Sequence, residues 1–365
     1  MKNHLSLYLM FVIIMLAGQG CKKDRFTDKT ATGINSPLGP LALSGVYVST
    51  FAGDLEGGYV DGPGPMARFS APRGITALGD YLYNVDQATA AIRRTRISDS
   101  TVTTLAGGTD EGFRNGSGNI ALFNVPIDIA AGPDKNLYVT DAFNFKIRKV
   151  TCDGVVSTYA GCDSGYLDGP VSTAKFGYVL SIAIGKDGTM YVYDSSAAKI
   201  RKITPAGMVS TYAGSTRGDV DGPAATAKFE DVQSIAVAGD GTVYVADATN
   251  NKIKKISTAG IVTTVAGSTI GYTDGPGPQA QFRYPYGVIV TSDGSLYIAD
   301  RISNRIRMMS PSGIVTTVAG ISNPSAVSVD GPADVAKFFY PTDLVMVNNI
   351  LYVTDSNKIR KVTLP

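Results

Sequence analysis

The chain has 365 residues, 44% of them hydrophobic, with 33 Lys+Arg against 31 Asp+Glu. That composition fits a globular protein, and near-neutrality gives no sign of the basic face that a nucleic-acid partner usually demands. A single histidine, His4, and only three glutamates, Glu56, Glu111 and Glu230, exclude a histidine-ligated zinc site and histidine general-base chemistry from the body of the chain.

The first element is a leader. Lys2 precedes the apolar run 5–17, which suits a signal-peptide core and is short for a membrane span. The stretch Leu16-Ala17-Gly18-Gln19-Gly20-Cys21 resembles a bacterial lipoprotein signal, with Gln19-Gly20 lengthening the usual spacing. The resemblance implies that residues 1–21 form the signal and that Cys21 is lipidated. It implies an outer-membrane lipoprotein of the cell envelope, periplasmic or surface-exposed, held by its lipid anchor. Residues 22–45 carry Thr, Ser, Gly and Pro without a strand or helix period. They read as a flexible tether spanning about 25–30 Å root-mean-square.

From residue 46 onward one pattern recurs. Its closing Ala-Gly pairs fall at Ala52-Gly53, Ala106-Gly107, Ala160-Gly161, Ala213-Gly214, Ala266-Gly267 and Ala319-Gly320, in steps of 53 or 54 residues. A fixed period of this size marks a repeat architecture. In the repeat 221–267, four short strands are predicted: 234–238, 242–247, 252–256 and 261–266. Gly239-Asp240-Gly241 and two further turn clusters separate them. Four such antiparallel strands make one propeller blade. The first, apolar and rich in small residues, belongs nearest the axis; the third is expected to expose one face of Lys and Arg.

Between blades, an Asp-Gly-Pro start and a Phe eight residues later recur as Asp61 and Phe69, Asp168 and Phe176, Asp221 and Phe229, Asp274 and Phe282, Asp330 and Phe338; the second repeat has Asn115 and Phe123. The Phe reads as a wedge between blades. A second Asp closes each Tyr-Val-x-Asp strand, at Asp86, Asp141, Asp194, Asp247, Asp300 and Asp355. Its presence in all six repeats marks it as scaffold that caps a turn and pairs with the following Lys or Arg. The sixth repeat lacks its last strand, and that strand stands at 46–52 instead. The fold expected is all-β: a six-bladed β-propeller of four-stranded antiparallel blades over 46–365, closed by strand 46–52 completing the last blade. Closure removes an exposed edge.

Tyr-Val-x-Asp, then Lys-Ile-Arg-Lys, then Gly-x-Val-Thr-Thr-x-Ala-Gly resembles the NHL repeat, in the form seen in bacterial exported proteins and the teneurin propeller. The resemblance covers 46–365. It implies a propeller that serves adhesion, protein binding or sensing, or in a minority of cases lyase or lactonase chemistry on a metal in the central channel. Cys152 and Cys162 flank a strand, which sets them about 20 Å apart. That is beyond disulfide reach, so two free thiols are expected.

Aligned on the Phe, the residues leading into the innermost strands differ between repeats and ring one mouth of the channel. Arg73, Asp128, Tyr178, Gln233, Tyr284, Tyr286, Tyr340 and Asp343 are the candidate ligand-binding residues, with Glu230, Asp231 and Arg283 beside them. Flat aromatic faces next to acids and amides suit sugars or polar peptides. The function expected is non-enzymatic recognition of a glycan or a protein ligand by a monomer, with no cofactor. The alternative is a calcium-dependent hydrolase or lyase of the lactonase kind, with Asp128, Asp343 and Glu230 around the channel, since calcium takes oxygen ligands.

Overall fold

The computed structural model describes residues 45–321 and 327–365. The signal segment, Cys21 and all of the tether except Gly45 lie outside them. Among the described residues no helix is long and apolar enough to cross a membrane.

Each repeat folds into one antiparallel sheet, and six sheets form a ring. The innermost strands are Pro72–Leu78, Pro126–Ala131, Val179–Ile184, Val232–Val237, Pro285–Val290 and Pro341–Val347. Each packs on the innermost strands of both neighbouring blades, and the sixth packs on the first. The last blade takes its outermost strand from the other end of the domain. Tyr47–Ala52 pairs with Lys358–Thr363, with Tyr47 opposite Thr363. The six-bladed propeller and its closing strand are therefore as the sequence predicts.

Four strands per blade is an undercount by one short strand in five blades. Gly116–Ser117, Gly169–Pro170, Gly222–Pro223, Gly275–Pro276 and Gly331–Pro332 each pair with the outermost strand of their sheet. The first blade has only a bridge from Gly62 to Val102. The glycine carries this turn: Gly169 sits at φ 139° and Gly222 at φ 127°, backbone that a side chain would disfavour.

The invariant residues build one buried device per blade. The Phe wedges are fully buried, and so is the Ala two residues before each. The ladder acids Asp86, Asp141, Asp194, Asp300 and Asp355 pair with Arg93, Arg148, Arg201, Arg307 and Arg360 at 2.7–3.5 Å, and both partners are fully buried. The third strand therefore does not show all its cations to solvent. Its middle Arg points inward, over the wedge: Arg148 Cζ lies 5.2 Å from the Phe123 centroid and 4.8 Å from that of Phe113. The same guanidinium donates to Leu122 O and Arg114 O, each at 3.0 Å. It also bonds the first polar residue of the loop, Asn115 here and Asp61, Asp168, Asp274 or Asp330 elsewhere. Those loop acids in turn accept a backbone N–H from a Thr of the outermost strand, as Asp61 does from Thr104 at 2.9 Å. A buried charge is tolerated only when paired and hydrogen-bonded, and the repeat supplies acceptors for both terminal nitrogens of each middle Arg.

Blade four departs in a coordinated way. Its cation is Lys254, which pairs with Asp219 and Asp221 at 2.7 and 3.0 Å and not with its ladder acid Asp247. Asn250 donates to Asp247 instead, at 2.8 Å. Asp219 stands where the second and third blades have Phe113 and Tyr166. A guanidinium stacks on an aromatic ring, whereas an ammonium is a point charge that needs carboxylates, which suits Asp219 to Lys254; blade six keeps Arg360 with Ser328 at that position.

Candidate functional site at the channel mouth

Antiparallel pairing places the start of each innermost strand beside the end of its second strand, as Pro285 opposite Asp300 shows. One mouth of the channel is thus made from two sets of loops: those after each wedge Phe and those after each ladder Asp. Backbone bonds tie the sets together. Gln87, Ala142, Ser195, Ala248 and Arg301 each donate an N–H to the residue two past the wedge, at 2.9–3.3 Å. Three of those residues, Ala71, Val125 and Tyr284, and Tyr340 at the same position of the sixth blade, hold left-handed backbone with φ of 51–62°. That conformation is costly for side chains other than Gly and persists where the surroundings over-determine it. Asn251 and Asn304 supply part of the restraint by accepting the N–H of Tyr284 and Tyr340, each at 2.8 Å.

One arc of the mouth, from blade four through blade six to blade one, is polar and aromatic. Tyr284 Oη and Gln233 Nε2 both donate to Asp231 Oδ2 at 2.8 Å. Burial, and then the neighbouring Asp231 charge, push the Tyr284 phenol above its usual range. Tyr286 is 5% exposed, and its hydroxyl is buried without a partner among the described residues. Two guanidinium groups flank its ring, Arg73 at 5.0 Å and Arg301 at 4.8 Å from the centroid. Arg301 also lies over Tyr340, at 5.6 Å, and Tyr340 is 44% exposed. Arg73 donates to Gln87 Oε1 at 3.3 Å. Of the remaining candidates on this side, Arg283 is exposed, and Glu230 offers its carbonyl to Arg217.

The opposite arc is apolar. Tyr178 packs with Phe143 and Phe145 at centroid distances of 5.2 and 5.5 Å. The neighbouring positions are Val125, Ile127 and Leu180.

Asp128 and Asp343 sit one layer further in and point between blades. Five residues past each wedge, the innermost strands carry Gly74, Asp128, Ser181, Ser234, Gly287 and Asp343. The side chain at this position binds the next blade's backbone. Asp343 accepts the N–H of Ile75 at 2.9 Å, Asp128 that of Ile182 at 2.8 Å, Ser181 that of Ile235 at 3.1 Å and Ser234 that of Val288 at 3.2 Å. Gly74 has no side chain to offer, so the second oxygen of Asp128 accepts Ile129 N–H at 2.8 Å. That carboxylate fills the space a Gly74 Cβ would occupy. Gly287 and Asp343 repeat the arrangement: a Cβ on Gly287 would lie 2.8 Å from Asp343 Cα. Burial raises the Asp128 carboxyl to about 6, and burial followed by the Asp128 charge raises that of Asp343. Among the described residues no three His, Cys, Asp or Glu side chains converge as a metal site. Cys152 and Cys162 are both free thiols.

The structure thus brings Arg73, Tyr286 and Tyr340 together through Arg301, and Tyr284 and Gln233 through Asp231. It keeps Tyr178 on the other arc and Asp128 and Asp343 in the inter-blade layer. Arg301 is missed by an alignment on the wedge loops because it belongs to the other loop set. Its signal is legible all the same: the residue after the ladder Asp is Gln87, Ala142, Ser195, Ala248, Arg301 or Ser356, and Arg301 is the one cation.

No family model matches the chain. It is 30% identical over 276 residues to Protein SUPPRESSOR OF QUENCHING 1, chloroplastic, of Arabidopsis thaliana, a match covering 69% of this chain and 26% of that protein. It is 26% identical over 325 residues to NHL repeat-containing protein 2 of Homo sapiens, covering 77% and 44%. With Teneurin-4 of Mus musculus it shares 25% over 198 residues, covering 45% and 7%. The chain therefore spans less than half the length of these relatives. Among solved structures, a Bacteroides thetaiotaomicron protein of unknown function superposes with a TM-score of 0.68 at 20% identity, over 87% of this chain and 76% of that one. An auxiliary nutrient binding protein from the same organism gives 0.66 at 17%, with the same coverage. A gluconolactonase from Xanthomonas campestris gives 0.57 at 12%, covering 89% and 91%.

Proposed function

Starting from a chain that belongs to the NHL-repeat β-propellers, we propose that it is a non-enzymatic recognition module that binds a saccharide at the channel mouth. The observation that carries this reading is the arc formed by Tyr284, Tyr286, Tyr340, Arg73 and Arg301. None of these side chains is required by the repeat, and they gather at one end of the ring. Stacked faces next to fixed donors suit sugar rings, which present C–H surfaces beside hydroxyls. The likeness to an auxiliary nutrient binding protein of Bacteroides thetaiotaomicron is one of fold, and it is compatible with such a role. The leader and Cys21 would place the module in the cell envelope on a lipid anchor, where it would act as a monomer.

The calcium-dependent hydrolase or lyase reading finds less support. It would run through Asp128 and Asp343, whose oxygens already accept backbone N–H groups of the innermost strands. The likeness to a gluconolactonase is again one of fold.

The test is thermal unfolding of the purified chain against panels of oligosaccharides, peptides and divalent ions, with and without chelator. A saccharide at 100 times its Kd should add about 2.7 kcal/mol of stability, and Tyr340→Ala should abolish that gain. Stabilisation by peptides alone, or only by calcium in a chelator-sensitive way, would refute the saccharide reading.

A further inference from the structure

Arg301 is half-buried, it makes no ion pair among the described residues, and its Nε is buried without an acceptor. The missing ion pair, and not the Nε, sets it apart from the middle arginines of the third strands, each of which meets a ladder acid and the first polar residue of its loop, although Arg93, Arg148, Arg307 and Arg360 also bury an Nε without an acceptor. The acid of its own arc, Asp231, is taken by Tyr284 and Gln233. Its position is fixed, since its N–H donates to Tyr284 O at 3.3 Å and its guanidinium lies against two tyrosine rings. The Tyr286 ring it covers has a buried hydroxyl without a partner and carries Arg73 as a second cation. A fixed guanidinium without an acid, beside a phenol without a partner, is incomplete as scaffold and complete as half of an anion site. Guanidinium groups present paired N–H donors that match planar carboxylates.

Resting on the reading of the mouth as a saccharide site, we propose that its ligand is an acidic saccharide whose anionic group is received by Arg301, assisted by Arg73 and Tyr286, while Tyr340 offers a face to the sugar ring. Burial weakens the hold of Arg301 on its proton, the cost an unpaired cation bears and an incoming oxyanion relieves. The oxyanion fitting this site is a carboxylate or a sulfate.

Calorimetric titration of the full chain with three probes tests the proposal: an oligogalacturonate for the carboxylate, a sulfated chondroitin oligosaccharide for the sulfate, and a neutral cello-oligosaccharide. Binding of either acidic probe at least 30-fold tighter than the neutral one supports the proposal, and the tighter of the two identifies the oxyanion. Arg301→Gln should erase that preference by weakening the acidic probes at least 10-fold more than the neutral one, and Arg301→Lys should restore part of it. Unchanged melting and circular dichroism of the variants would show that the fold is intact. Equal binding of neutral and acidic probes, insensitive to Arg301→Gln, overturns the anion assignment and leaves the saccharide reading standing. Binding of none of the three overturns the assignment as well, and with a peptide bound in their place the saccharide reading falls too.

Discussion

Two neighbouring residues of one strand, Arg148 and Lys149, carry the same charge and opposite duties. Arg148 is fully buried and meets Asp141 at 2.7 Å, whereas Lys149 reaches Asp134 at 3.0 Å with both partners partly exposed. Removing one partner of a buried pair leaves a charge without water or counter-ion, which costs about 3–5 kcal/mol, while an exposed pair is worth at most about 1 kcal/mol. Arg148→Met should therefore lower unfolding stability by about 3–5 kcal/mol and Lys149→Met by less than about 1. Urea denaturation of the two variants measures both, and equal losses would mean that the inner ladder is not what holds the blade. The sequence carries a trace of this division. In Lys252-Ile253-Lys254-Lys255-Ile256 the two isoleucines lie three apart, so they point to opposite faces of a strand. Both faces are then partly apolar, and one of the middle cations has to share a buried face. A reading based on simple alternation overlooks that and assigns every cation to solvent.

At the scale of elements, the innermost strands are held to one another by side chains, not by sheet hydrogen bonds. Ser181 and Ser234 each serve one N–H of the next blade, while Asp128 and Asp343, with Gly74 and Gly287 preceding them around the ring, serve one of the next blade and also the following N–H of their own strand, Ile129 and Leu344. Two carboxylates thus replace two missing side chains. Gly74 is required by space, since a Cβ there would lie 2.6 Å from Asp128 Cα and 2.9 Å from Ile129 N. Gly74→Ala should cost about 3 kcal/mol or more through overpacking against backbone. Ser181→Ala, which loses the hydroxyl's bond to Asp128 Oδ2 and leaves Ile235 N–H unpaired, should cost about 1–3 kcal/mol. A Gly74→Ala protein within about 1 kcal/mol of the parent in chemical denaturation would show that the strands can simply part. From sequence alone, Asp128 and Asp343 look like free acids at a mouth. Period-two alternation tells which residues share a face, but not whether that face looks into the channel or toward the next blade. The tyrosines and Arg73 next to them were legible because they differ between repeats, whereas the partnership with Arg301 needed the pairing of two loop sets.

For the whole molecule, the fold was legible because a period of 53 or 54 residues, repeated six times, leaves few ways to bury the wedges and one way to use the strand at 46–52. The same repetition multiplies the consequences of burial for titration. Burial raises the carboxyls of the ladder acids Asp86, Asp141, Asp194, Asp247, Asp300 and Asp355, with Asp86 reaching about 6. It also raises Asp128 to about 6, and it raises Asp343. A carboxyl whose folded pKa exceeds its unfolded value binds its proton more readily in the native state. Its contribution to stability is then fully present below the unfolded pKa, near 4, and is lost as pH rises through the folded value. Turn acids behave in the opposite way. Asp134 is held near 2, where its bonds from Lys149, Asn136 and Tyr138 outweigh desolvation. Asp187, Asp240 and Asp293 are lowered chiefly by bonds from Thr189, Thr242 and Thr291; their contribution is present above about 4 and is lost as pH falls further. The two classes place the stability maximum between about pH 4 and 5.5. For Asp128 alone the gain on acidification from pH 7 is on the order of 2 kcal/mol. Melting temperature should climb by several degrees from pH 7 to pH 5 and fall again below pH 4. A flat or falling profile between pH 7 and pH 5 would mean that the inner carboxylates keep their charge at no cost, with the ladder arginines and the backbone N–H groups compensating burial in full.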